Sequence, residues 1–171
     1  MEQEQVVRSE VELPEEMMKI IYDVAYKLNM EQNQRLNEFA TVIVTTADRE
    51  AGMAFMADVN DAAKDMNGTA FGAAFDVAEL MTAYENGTLE ETVATGVNES
   101  WLLMDCNIIC YARRHAIRQT TRTFTYILEN KERFATVIGR LRKDDYVWLN
   151  AEFRGAGYRG LLDIFGMELA Q

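Results

Sequence analysis

Residues that break helices are scarce in this sequence. It contains one proline and ten glycines among 171 residues, whereas an all-β protein needs turn residues after each short strand. The scarcity of breakers therefore favours helices. The single proline, Pro14, suits the first position of a helix, and Glu15 and Glu16 after it complement the positive end of the helix dipole.

Histidine and cysteine, two common metal ligands, are also scarce. The only histidine is His115, which excludes a di-iron four-helix bundle, because that site needs two Glu-x-x-His motifs. Cys106 and Cys110 lie four residues apart on an apolar stripe, where free cysteine packs as a small hydrophobic residue, and tetrahedral zinc needs four ligands. We expect core packing for both cysteines, a half-buried His115 bonded to a carbonyl group, and no metal or other cofactor.

Long apolar runs are absent. Uncharged stretches such as Phe39 to Ala47 are far shorter than the roughly 20 residues that span a bilayer. The segment from Met1 to Glu12 is charged and has only a short apolar pair, so we expect no secretory signal. These features predict no membrane partner and a location in the cytoplasm, or within a particle assembled there.

Length and composition predict one domain. The chain is 49% hydrophobic and 26% charged, which is ordinary for a globular protein. Residues 1–13 show no helical stripe and predict an extended N-terminal arm, and residues 14–171 predict a single helical domain. The predicted fold is an all-α bundle of five to seven helices. A minor β element from the arm and residues 146–153 stays open, because Tyr146 to Phe153 fits either a strand or a helix capped by Asp144.

Hydrophobic periodicity gives the positions of the helices, and it places Ile21, Met81, Leu103 and Phe134 on their inward faces. The run from Thr41 to Thr46 is β-branched, but its flanks are strong helix formers, so we favour helix there. Asn67-Gly68 and Asn86-Gly87 predict helix ends. The predicted helices cover residues 14–28, a segment starting near 31, and 51–66, 71–84, 101–128, 132–141 and 161–169, with a helical turn at 89–93.

Charge is divided unevenly along the chain. Residues 1–100 hold 20 acidic and 6 basic residues, a net charge of −14, and residues 101–171 hold 8 acidic and 11 basic residues, a net charge of +3. An acidic chain is disfavoured as a nucleic-acid binder, because affinity for phosphates comes mainly from displaced counterions. Unlike charges could instead attract neighbouring copies of the chain.

Two charged rows are candidates for partner binding. Arginine suits contact with carboxylates or phosphates, and a row of arginines follows residue 112. A protein partner, or the acidic half of this chain, accounts for this row more simply than single-stranded nucleic acid, and a plain solvated surface is the remaining alternative. The second row is acidic and has helical spacing of three and four residues. The candidate residues are Arg113, Arg114, Arg118, Arg122, Asp58, Asp61 and Asp65.

Gly155-Ala-Gly157-Tyr-Arg-Gly160 matches the G-x-G-x-x-G pattern of dinucleotide-binding loops. That pattern also needs a second strand and an acidic residue about 20 positions later. Only 11 residues follow Gly160, so the unit cannot be completed. We interpret the motif as a glycine-rich turn.

The sequence therefore favours a non-enzymatic interaction protein. Its leading form is a subunit or adaptor of a larger, homo-oligomeric assembly, such as a phage-type virion or connector component. The alternative is an acidic inhibitor that mimics nucleic acid and blocks a DNA- or RNA-binding enzyme. An enzyme of unknown type is the third hypothesis, and it would require His115 to meet a carboxylate or thiol in a cleft. We see no small-molecule substrate site.

Overall fold

The computed structural model describes residues 13–45, 47–73 and 76–166, and the side chains of these residues except 65–73. Eight helices and no strand occur in these ranges, so the predicted all-α fold is confirmed, although with more helices than expected. The predicted arm lies outside the described residues apart from Leu13. The helices are α1 (Glu15–Val44), α2 (Arg49–Ala73), α3 (Val77–Asn86), α4 (Leu89–Arg114), α5 (Thr121–Glu129), α6 (Lys131–Gly139), α7 (Lys143–Gly155) and α8 (Leu161–Phe165).

The N-terminal helices are longer than their sequence patterns predicted. Helix α1 starts directly after Pro14, whose carbonyl accepts a hydrogen bond from the Met18 amide at 3.0 Å, and it continues through both predicted helical segments. The β-branched run is helical as far as Val44. Helix α2 passes through Asn67-Gly68, so the predicted end there was wrong. One glycine costs a helix only about 1 kcal/mol, which the rest of a long helix can offset.

Helix α3 starts later than predicted, at Val77 instead of Phe71. Asp76 caps it by accepting a hydrogen bond from the Ala78 amide at 3.2 Å. Its buried residues are Leu80 and Ala83, whereas Met81, predicted to face inward, is exposed. The predicted end at Asn86-Gly87 is confirmed.

The largest correction concerns residues 89–128. The predicted turn and the first part of the predicted long helix form one continuous helix, α4, and the chain then leaves the helical path before α5. Ala116 adopts a left-handed conformation with φ 56°. The Ile117 amide bonds to the Ala112 carbonyl at 3.0 Å, which is the six-to-one bond of a Schellman helix end. Leu103, predicted to be in the core, is exposed.

Helix α7 settles the open alternative at residues 146–153 in favour of helix. It starts at Lys143 with Arg142 at the N-cap position, so Asp144 is not the cap. The glycine-rich turn follows as predicted. Gly157 has φ 93°, and a Cβ atom on Gly160 would lie 2.9 Å from Oδ1 of Asn150. That oxygen accepts a hydrogen bond from the Leu161 amide at 2.8 Å.

The described helices form two compact units. Unit 1 combines Met1–Glu31 with Met66–Ser100, and unit 2 combines Gln32–Asp65 with Trp101–Gln171. The prediction that residues 14–171 form a single domain stays a prediction. The core of unit 1 includes Met17, Ile21, Ala25, Leu80, Ala83, Leu89, Val93 and Val97.

The core of unit 2 is rich in aromatic residues. The rings of Phe39 and Tyr126 stack at 5.4 Å between centroids, and Phe134 meets Phe39 edge-on at 5.1 Å. A second group joins Phe124 to Phe153 at 4.5 Å and to Tyr158 at 5.0 Å. These pairs connect α1, α5, α6 and α7.

Candidate functional site

A buried carboxylate in unit 2 holds two arginines. Asp105 of α4 is fully buried. Its Oδ1 accepts a hydrogen bond from Nη2 of Arg35 at 2.7 Å, and its Oδ2 accepts one from Nε of Arg133 at 2.8 Å. The three side chains come from α1, α4 and α6. Because one negative charge faces two positive charges, this cluster retains a charge of about +1.

The same two arginines carry donors that the chain does not satisfy. Nη1 of Arg35 and Nη2 of Arg133 are buried and have no hydrogen-bond partner among the described residues. Nε of Arg35 does have one, Oε1 of Gln32 at 3.1 Å. Burial raises the pKa of the neighbouring Tyr126, and the Arg35 guanidinium opposes that rise. Sequence reasoning missed this cluster, because Asp105, Arg35 and Arg133 are far apart along the chain.

A second ion pair uses one of the predicted partner-binding arginines. Nε of Arg113 donates to Oδ1 of the buried Asp145 at 2.6 Å, and this hydrogen bond raises the pKa of Arg113. The guanidinium of Arg113 therefore has a partner inside its own unit. The sequence had offered the acidic half of the chain as one partner of the basic row, but Asp145 belongs to residues 101–171, the basic part.

The two cysteines are free thiols on α4, as expected for packing residues. Cys110 is buried, and Sγ of Cys106 donates to the carbonyl oxygen of Val137 at 3.4 Å. Burial raises the pKa of Cys106 to about 12, and the adjacent Asp105 carboxylate adds to the effect. At neutral pH Cys106 is therefore a protonated thiol, a poor nucleophile and a poor metal ligand.

His115 bonds to a carboxylate instead of the expected carbonyl. Its Nε2 lies 2.7 Å from Oδ2 of Asp58, and both side chains are partly exposed. The pair ties the turn after α4 to α2 within unit 2. A carboxylate that orients a histidine is one element of general-base sites. The shallow pocket found in unit 1, lined by residues including Asp76, Glu79, Asn86 and Thr92, involves neither residue.

The remaining predicted partner-binding residues differ in their surroundings. Arg114 lies over the ring of Tyr111 at 5.6 Å, and Nε of the exposed Arg118 lies 3.4 Å from Oε2 of Glu152. Arg122 and Asp61 are exposed. The side chain of Asp65 lies outside the described ones. Because Asp58 is bonded to His115, the acidic row is not a uniform line of free carboxylates.

An exposed apolar line lies on α1 within unit 1. Tyr22, Tyr26 and Met30 are 50%, 68% and 56% exposed and follow each other at intervals of four residues. This spacing places them along one face of a helix, and we call them the α1 stripe. Sequence analysis assigned the buried face of α1 and did not consider its other face, although the spacing was readable there.

Comparison with protein-family models, with curated proteins and with solved structures gives no match for this chain. In the part of the chain that the structure describes, no three His, Cys, Asp or Glu side chains are grouped so that they could hold a metal ion. None of the described helices combines the length and hydrophobicity needed to cross a bilayer.

Proposed function

We propose that the protein is a non-enzymatic interaction protein that self-associates through the α1 stripe, as a subunit of a homo-oligomeric assembly. The observation that carries the proposal is the alignment of three large apolar side chains, each at least half exposed, on one helix face. Single exposed apolar residues are normal on a protein surface, whereas contiguous apolar patches mark interaction sites. Tyrosine and methionine are also enriched in such sites.

The charges around the α1 stripe favour a second copy of the chain as the partner. The whole chain carries a net charge of −11, so two copies repel each other at long range. Residues 19–31 contain Lys19, Lys27, Asp23 and Glu31 and are therefore neutral overall. Two copies that meet at this segment avoid like-charge repulsion and can pair lysines with carboxylates.

The size of the α1 stripe sets the expected affinity. A tyrosine offers about 150–250 Å² of surface, so these half-exposed side chains present roughly 300–400 Å² per copy. Stable interfaces bury about 800 Å² per partner. The α1 stripe alone therefore supports a weak dimer, with a dissociation constant in about the micromolar range. Contacts between further copies would strengthen a larger assembly, of which a virion or connector is one concrete form.

Sedimentation equilibrium from about 1 µM to about 500 µM tests this proposal. The wild-type protein should change from monomer to dimer or higher species within this range. Tyr26→Ser should weaken association at least tenfold, because it removes the central side chain of the α1 stripe. Val147→Ser is the matched control, since Val147 is an exposed apolar residue of α7 in unit 2.

Two results would contradict the proposal. A wild-type protein that stays monomeric throughout the range has no self-association to explain. An equal weakening by Tyr26→Ser and Val147→Ser would show association that does not depend on the α1 stripe.

A further inference from the structure

We propose that the cluster of Arg35, Asp105 and Arg133 binds a small oxyanion, a phosphate or a carboxylate, through the guanidinium nitrogens that have no acceptor among the described residues. The site lies in unit 2 and is independent of self-association through the α1 stripe. Its ligand chemistry follows from three features: its charge, its free donors and its access to solvent.

The charge of the site calls for an anion. Asp105 is fully buried and neutralises one of the two guanidinium groups. Arginine side chains are permanent cations in proteins, so the surplus positive charge remains. The carboxylate of Glu38, which acts on Tyr126, is exposed. A bound oxyanion would neutralise the surplus charge where Asp105 alone does not.

The free donors are of the kind that binds oxyanions. Both oxygens of Asp105 are already used, one by each arginine. This bonding holds the two guanidinium groups beside one carboxyl group and leaves Nη1 of Arg35 and Nη2 of Arg133 with hydrogens to donate. Guanidinium groups bind carboxylates and phosphates with strong, charge-assisted hydrogen bonds.

The site can be reached from solvent. The side chains of Arg35 and Arg133 are 18% and 20% exposed, although the two free nitrogens are themselves shielded. We infer that rotation of the two side chains brings these nitrogens into contact with a bound oxyanion. Arginine side chains are long and have several rotatable bonds, so a movement of this kind leaves the helices in place.

Isothermal titration calorimetry with inorganic phosphate and with acetate, in a chloride buffer of constant ionic strength, tests the proposal. We expect saturable binding of at least one of the two, and the tighter ligand identifies phosphate or carboxylate as the physiological class. Arg133→Lys keeps a positive charge beside Asp105 but removes the Nη2 donor, so it should weaken binding at least tenfold. Arg122→Lys changes an exposed arginine of α5 in the same way and should have no effect.

Arg35→Lys provides a second variant in case Arg133→Lys unfolds, and circular dichroism identifies the folded variants. Three results would overturn the proposal: no saturable heat with either anion, equal binding by wild type and the folded lysine variants, or equal weakening by Arg122→Lys.

Discussion

At the scale of the residue, the notable feature of unit 2 is its buried carboxylates. Asp105 and Asp145 are both buried, and each is bonded to arginine. Moving such groups out of water costs several kcal/mol per ion, which only good pairing offsets. The sequence could not predict these pairs, because Arg35 lies 70 residues from Asp105 and Arg113 lies 32 residues from Asp145. Only the folded chain shows which arginines are internal.

Cys106 provides a test at the same scale, in the pH dependence of stability. Its pKa in the folded protein is about 12, compared with 9.0 for an ordinary thiol. Below pH 9 the thiol is protonated in the folded and in the unfolded protein, so its full contribution to the free energy of unfolding is present. Between pH 9 and pH 12 the unfolded chain loses the proton first, so this contribution should fall by up to about 1.4 kcal/mol per pH unit.

Urea unfolding of the wild type and of Cys106→Ala at several pH values from 8 upwards measures this effect. Tyr84 and Tyr126 also have raised pKa values, but they titrate in both proteins and cancel in the difference. The difference in unfolding free energy between the two proteins should shift steadily against the wild type above pH 9. A difference that does not change with pH would contradict the raised pKa.

Three helices end in the same motif, and one of the three ends lacks the glycine that this motif favours. Helices α3, α4 and α7 finish in Schellman motifs, with the left-handed position occupied by Gly87, Ala116 and Gly157. Glycine adopts this conformation without strain, whereas a side chain costs roughly 1–2 kcal/mol. The middle glycine of the G-x-G-x-x-G pattern therefore has a purely structural use.

Ala116→Gly should stabilise the protein by about 0.5–1 kcal/mol, because it relieves the left-handed alanine. Gly87→Ala makes the reverse change at the same motif position and should destabilise the protein by roughly 1 kcal/mol. Nothing lies within 4 Å of a Cβ atom at Gly87, so its effect measures backbone strain alone. Thermal and urea unfolding give both values, and a destabilised Ala116→Gly variant would refute this interpretation.

The existence of the helices was more predictable than their limits. Apolar periodicity correctly predicted the buried faces of α1 and α6, where Ile21 and Phe134 are in the core. The end at Gly87 was also readable, because asparagine-glycine has a clear physical role there. The end of α4 was not readable, because alanine is the best helix former and nothing local marks Ala116 as a left-handed residue. Packing around Ile117, which is buried, decides that end.

At the scale of the whole molecule, the division into two units was not predicted. All three boundaries between the units fall inside helices: one in α1, one in α2 and one between Ser100 and Trp101 of α4. The change in net charge between residues 1–100 and 101–171 coincides with the boundary in α4, but it was not interpreted as a boundary between units. The candidate interaction surface was partly predictable. Charge counts directed attention to the arginine row, of which Arg113 proved to be internal. The apolar spacing of Tyr22, Tyr26 and Met30, on which the proposed function rests, was present in the sequence but was not considered.

The rate of methionine oxidation by hydrogen peroxide, resolved by peptide mass spectrometry, tests the central claim of self-association through the α1 stripe most directly. Met30 and Met53 are 56% and 62% exposed, but only Met30 belongs to the α1 stripe. With peroxide in large excess, raising the protein concentration into the associating range should slow the oxidation of Met30 severalfold and leave that of Met53 unchanged. A Met30 oxidation rate that, like the rate of Met53, does not change with protein concentration would contradict the claim.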